Sequence, residues 1–393
     1  MRLSLPLSAL VLASCGKDPV CGDGYQLLNG ECVELLDPSG EDTTAHPGPD
    51  TGDTGAEDCT CDVCEVGGEF SSIQDAIDAA ADGDTITICA GEYKEVVSLA
   101  GVAVSLSGAG ADTTTIHADG DGTALSVTNG QGAETMISGL TLREGDAFTS
   151  GGYGGGLLLS SSSPSLSDIT VSEANATSGG GVALLDSDSS IDGLHVIGAA
   201  AESEGGGIYI DGGAPTLVHV VVEDSYARGA AGLYATDSAI RLSNSAFFSN
   251  QSAEGSGAIN MPSGQGVIIT NVVAALNTTG NDKASCAIDV GSGSTMYNTV
   301  AYGNEGIGLC SEGTASHNLG YANHEGDFMV NDSSAPGEGD LTDDPQFIDP
   351  NLGDFTIRAA SPMIDAGNPD AAYNDADGSR ADMGVYGGPA GDW

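Results

Sequence analysis

Glycine recurs just ahead of a short apolar run at near-constant intervals in this chain. Gly156 precedes LLL, Gly181 precedes VAL, Gly207 precedes IYI, Gly232 precedes LYA and Gly257 precedes AIN, at spacings of 25, 26, 25 and 25 residues. Cys286 before AID and Gly308 before LCS continue the pattern, 29 and 22 residues further on. A period of this length marks a solenoid, in which each unit buries its apolar face on its neighbours. A second apolar run follows within each unit: ITV, LHV, LVHVVV, AIRL, VIIT. The runs are short and lack helical periodicity, which excludes helical and leucine-rich repeats.

Side chains alternate across a strand. Leu157 and Leu159, Val182 and Leu184, and Ile208 and Ile210 therefore point inward together. The glycine before each pair is expected to turn a tight corner at positive φ. A phosphate-binding loop would lead into a helix instead, so the GGG of residues 205–207 is not read as a nucleotide site. The position between each inward pair gives an outward column of Leu158, Tyr209, Tyr234, Ile259 and Ile288. Such a ribbon is either a contact surface or is covered by loops or the C-terminal segment. Asn250, Asn277, Asn304 and Asn323 recur late in the units, as an inward amide ladder or as residues tolerant of turns.

Nine Lys and Arg stand against 57 Asp and Glu, a formal net charge of −48. That surface repels nucleic acid, so nucleic acid is excluded as a partner. Hydrophobic residues make up 40% of the chain, enough to keep most of it from disorder. The chain divides into residues 1–14, a signal peptide; 15–35, a small disulfide loop; 36–58, an acidic Pro/Gly/Thr-rich disordered tether; 59–340, the repeat; and 341–393, a C-terminal capping segment. Ser71 and Gln74 fit a capping box, and Ile73, Ala76, Ile77 and Ala80 form the apolar stripe of a short N-terminal capping helix over the first sheet edge.

Met1-Arg2-Leu3, an apolar run and Leu12-Ala13-Ser14-Cys15 resemble the lipobox of bacterial lipoproteins. The resemblance implies a lipid on Cys15 and membrane attachment through it. Gly16 next to it implies the outer membrane or cell surface. Eight cysteines remain, an even number suited to an oxidising compartment. Cys21 and Cys32 flank a turn-rich loop. Cys286 and Cys310 fall in consecutive units, within reach of a cross-coil disulfide. Cys59, Cys61, Cys64 and Cys89 allow three pairings, with Cys89 expected to reach back to Cys61 or Cys64; zinc at the CxxC is the weaker alternative.

EFSSIQDAIDAAADGDTITICAGEYKE resembles the entry segment of pectin-lyase-like proteins. DPQFIDPNLGDFTIRAASPMIDAGNPDAAYNDADGSRADMGVYGGP is similar to the C-terminal segment of secreted bacterial β-helix proteins, including the choice-of-anchor Q group. The implied fold is all-β, a right-handed parallel β-helix solenoid. That fold hosts pectate and alginate lyases and polygalacturonases, yet it does not fix a function. A lyase needs a base and a cation beside it. Lys94, Arg143, Arg228, Arg241, Lys283, Arg358 and Arg380 share no offset between neighbouring units. The polygalacturonase pairs Asn-Thr-Asp and Gly-His-Gly are missing, since Asn298-Thr299 is followed by Val300. His195 and His219 are read as exposed strand residues in adjacent coils. No catalytic residue is assigned.

Asp375, Asp377, Ser379 and Asp382 offer alternate oxygen ligands, either a structural calcium site or a polar turn. The reading is a monomeric surface lipoprotein used for structure, adhesion, or glycan or protein binding. The alternative is a polysaccharide lyase or glycoside hydrolase.

Overall fold

The computed structural model describes residues 25–28, 31–34, 61–64, 68–149, 152–280 and 285–392. Cys15, Cys21 and Cys59, the leader and the tether lie outside the described residues. Tyr25–Leu28 and Glu31–Glu34 pair antiparallel, with Cys32 opposite Leu27.

From Thr85 onward the chain winds into a parallel β-solenoid. A ten-stranded sheet runs from Val97–Ala100 to Gly326–Val330, a fourteen-stranded sheet forms the longest wall, and four two-residue strands form a short third side. In the ten-stranded sheet the register is direct: Leu157, Val182, Ile208 and Leu233 lie side by side, as do Leu159, Leu184, Ile210 and Ala235. All eight are buried, in one continuous apolar core.

The glycines before these strands serve a different purpose from the expected one. Positive φ belongs to the first glycine of each triplet, Gly154, Gly179 and Gly205, at 62°, 66° and 64°. The third glycine makes room for the opposite wall. A Cβ on Gly156 would sit 2.2 Å from Cγ1 of Val171, and one on Gly207 would sit 2.4 Å from Cγ1 of Val222.

The eight-residue strands of the long sheet are broken at one point in every coil. Ser167 faces Asp192 and Ile169 faces Leu194, with residue 168 beside 193 between them. The break stacks Asp168, Gly193, His219, Asn244, Asn271, Asn298 and His317, all between 47° and 78° in φ. Residues in this left-handed region kink the strand and turn their side chains outward.

The Asn ladder is complete. The Nδ2 of Asn250 donates to Oδ1 of Asn277 at 3.0 Å, Asn277 to Asn304 at 2.9 Å, and Asn304 to Asn323 at 2.9 Å. Each Nδ2 also donates to a carbonyl, that of Val222, Phe247, Ala274 or Ala301. The last rung survives the 19-residue spacing because most of the residues are lost after Asn304, before Ile307, while the strands leading into Asn304 and Asn323 stay in register, Tyr302 beside Tyr321.

A helix covers Ile73–Ala79 and buries Ile73, Ala76 and Ile77 in the main core. Its N-cap is Ser72, one residue after the predicted Ser71. The Ser72 hydroxyl accepts from the Asp75 N–H. Glu95, from the first coil, accepts from the N–H groups of Ile73 and Gln74 at 2.8 and 3.0 Å. A carboxylate is favoured there by the orphan donors and the helix dipole.

The chain past residue 337 first completes the last edge. Leu319 bridges to Leu341, and the His317 N–H donates to the carbonyl of Glu338. It then folds back along the outer face of the long sheet. Phe347, Phe355, Met363, Met383 and Val385 pack on Ala246, Phe248, Val273, Val300 and Leu319. The outward amides of the strand break anchor it: Asn244 donates to the carbonyls of Val385 and Gly387, and Asn271 to those of Asp382 and Gly384.

Among the described residues, one disulfide joins consecutive coils and one pins the entry segment to the first coil. Cys286–Cys310 has a Cα separation of 6.0 Å and Cys64–Cys89 one of 5.2 Å. The helix is far too short to cross a membrane, and no other helix among the described residues is long and apolar enough to do so.

Candidate binding wall

The outward face of the ten-stranded sheet carries the predicted column only in part. Leu158, Ala183, Tyr209, Tyr234, Asn260 and Asp289 form one lateral row. Ile259 and Ile288 are not in it. They align with Leu233 in the inward row and are fully buried. The cause is a one-residue slip. Ala258, not Gly257, fills the corner of that coil, with its carbonyl accepting from the Leu233 N–H. A shift of one residue reverses every side chain of a strand. The row thus ends in polar residues.

The aromatic part of the row is longer at its other end. Tyr153, on the turn before Leu157, lies 5.6 Å from Tyr209 between ring centroids, and Tyr209 lies 5.7 Å from Tyr234 at an interplanar angle of 9°. Full face-to-face overlap would bring the centroids closer. Rings parallel at this distance are offset, and both tyrosines stay partly exposed. Tyr153 was not singled out from the sequence, because it sits in a glycine-rich turn outside the strand pattern.

Carboxylates flank the tyrosines. Partial burial, then Asp211, pushes the Tyr209 phenol up to about 12, and it stays protonated as a hydroxyl donor. Tyr234 is shifted upward for the same first cause, followed by Glu204 and Asp211. Glu204 is itself raised by burial, and its Oε2 accepts from the Ala230 N–H at 2.7 Å. Beside the row lies a cleft of about 400 Å³ lined by Ser203, Glu204, Arg228, Glu254 and Asn260. Arg228 spans it through an Nε to Oε2 contact of 2.9 Å with Glu254. The C-terminal segment packs on the long sheet and contributes no residue to this lining. Burial also raises the Asp289 carboxyl at the polar end of the row.

His195 and His219 do not converge. His195 pairs with Glu223 at 2.7 Å, and His219 pairs with Asp192 at 2.6 Å while its Nε2 meets the carbonyl of Ala390.

The four calcium candidates hold a turn. Asp375 accepts from the N–H groups of Asp382 and Gly388, Asp377 from the N–H and hydroxyl of Ser379, and Asp382 from the N–H of Asp365. Among the described residues, two sets of three ligand-type side chains converge to within 4.8 Å, and Asp375, Asp377 and Asp382 are not one of them. Those sets are Cys61, Cys64 and Cys89, and His117, Asp119 and Glu144.

No protein-family model matches the chain, and no curated protein matches it. Among solved structures, the chain is similar to the alginate lyase from Paenibacillus sp. str. FPU-7. The TM-score is 0.35 and the identity 12%, over 69% of this chain and 96% of that one.

Proposed function

We propose that the protein is a non-catalytic surface scaffold that binds an uncharged glycan along the tyrosine row. The row of Tyr153, Tyr209 and Tyr234 carries this reading. A sugar ring offers an apolar C–H face to an aromatic face and hydroxyls to the phenols and carboxylates around it. The wall is strongly acidic, which disfavours polyuronates and leaves neutral sugars as the matching class. In this reading the lipid on Cys15 holds the solenoid at the bacterial outer surface, and residues 36–58 set it off from the membrane.

A glycan array with the full chain tests the proposal. We expect retention of one or more neutral oligosaccharides, with affinity lowered about tenfold or more in the Tyr209→Ala/Tyr234→Ala double variant. Neither unsaturated product nor new reducing ends should accumulate. Cleavage of a bound glycan would replace this reading with the lyase or hydrolase alternative. Binding that is indifferent to both tyrosines would remove the row from it.

A further inference from the structure

The convergent set on the first coils lies on the long sheet, away from the tyrosine wall. His117 and Arg143 are lateral neighbours in register, and Asp119 and Glu144 follow them in chain. His117 is 6% exposed although it stands among charged groups. Its Nδ1 lies 2.9 Å from Oε1 of Glu92 and 2.9 Å from Nη2 of Arg143, and that guanidinium also reaches Oε2 of Glu92 at 3.3 Å. Glu92 is thus the shared acceptor, and we assign the ring proton to Nδ1. The opposite nitrogen is then a bare lone pair. Nε2 is buried and has no hydrogen-bonding partner among the described residues. What faces it are two more acceptors, Oε2 of Glu144 at 3.2 Å and Oδ1 of Asp119 at 4.0 Å.

A lone pair aimed at two carboxylates is repulsive unless a proton or a metal cation sits between them, and the same three groups converge closely enough to hold either. Arg143 does not fill that place. Its Nε lies 3.5 Å from Oε1 of Glu144, on the far oxygen, and is itself a buried donor without a hydrogen bond. Lys94 is 3.9 Å from Glu92 and mostly exposed. Three carboxylates therefore face two cations, with the unneutralised side at Nε2.

We propose that His117, Asp119 and Glu144 bind a divalent first-row transition ion such as zinc, with Glu92 orienting the imidazole through Nδ1. One imidazole nitrogen and two carboxylate oxygens suit such an ion, at ligand distances of about 2.0–2.2 Å. A carboxylate on the second nitrogen is the usual support of a ligating histidine. The ring is fixed by burial, whereas Asp119 and Glu144 have side chains 70% and 41% exposed and are free to close on the ion.

Chelator-treated full-length protein, with its disulfides intact, is dialysed against zinc and then titrated with cobalt as a spectroscopic substitute. One ion per chain is expected, with cobalt absorption lacking the thiolate charge-transfer band that a cysteine ligand such as Cys61 would produce. Asp119→Asn, at an exposed position, should weaken binding about tenfold or more, and Glu92→Gln should do the same by loosening the ring. His117→Ala should abolish it with the strand signal in circular dichroism retained. Failure to retain an ion, retention unchanged in Asp119→Asn, or a thiolate band each overturn the assignment.

Discussion

Asn277→Ala is expected to be among the most destabilising single changes in the chain, by about 3–5 kcal/mol. The side chain makes four bonds in the dry interior. Nδ2 donates to the carbonyl of Phe247 and to Oδ1 of Asn304, and Oδ1 accepts from the N–H and Nδ2 of Asn250. Asn277 and Asn250 are both fully buried, so the partners of the amide have no bulk solvent to turn to. Each donor or acceptor left unsatisfied costs about 1–3 kcal/mol, partly recovered as the neighbours relax. Asn374→Ala is the control, because that amide donates to the Gly378 carbonyl at an exposed site and its φ of −54° suits any residue. Its effect should stay within about 0.5 kcal/mol. Urea melts of the two variants read the difference. Equal midpoints would mean that the ladder is decorative.

The second large effect is expected at Gly180. A Cβ there would lie 2.2 Å from the carbonyl oxygen of Ala200 and 2.6 Å from that of Gly206. Both obstacles are backbone atoms of the next coil, which cannot swing away as a side chain would. Gly180→Ala should therefore force two coils apart, at a cost of about 3 kcal/mol or more. Gly198→Ala provides the contrast. Gly198 has a φ of 62° but nothing within 4 Å of the added methyl. Its cost is conformational alone, about 1–2 kcal/mol. Thermal melts that rank Gly198→Ala as the worse variant would refute the close-approach account of the glycine triplets.

These two cases also show what the sequence could and could not reveal. The inward rows were readable because alternation is local: Leu157 and Leu159 share a face whatever lies beyond them. The role of the third glycine was not readable, because it depends on Val171 and Val222 arriving from another wall of the coil. Ile259 and Ile288 were misplaced for a related reason. Counting from Gly257 and Cys286 sets each corner one residue early, because Ala258 and Ala287 fill it. The row of left-handed residues from Asp168 to His317 left almost no trace, since Asp, Gly, His and Asn take turns at the position. Only their shared tolerance of positive φ links them.

Chemistry was harder still to read. The acidic turn at residues 375–382 shows its alternating oxygens in sequence, whereas the N–H groups its carboxylates accept from, such as Asp365 and Gly388, are found only in the fold. The His117 group gave no local signal. Glu92, His117 and Arg143 lie about one coil apart in sequence and meet only through strand register. The tyrosine row lies between these extremes. Tyr209 and Tyr234 recur at the repeat spacing, whereas Tyr153 joins them from a turn.

The register of neighbouring coils underlies the tyrosine row, the amide ladder and the His117 group alike, and cross-linking tests it most directly. Asp211 and Thr236 are lateral partners on adjacent strands. The double variant Asp211→Cys/Thr236→Cys should form an intrachain disulfide under mild oxidation, because paired strands hold their Cα atoms within bridging distance. The pair Asp211→Cys/Tyr234→Cys, displaced by two residues on the same face, should remain reduced under the same conditions. Equal oxidation of the two pairs, or preference for the displaced one, would contradict the stacking described for this chain.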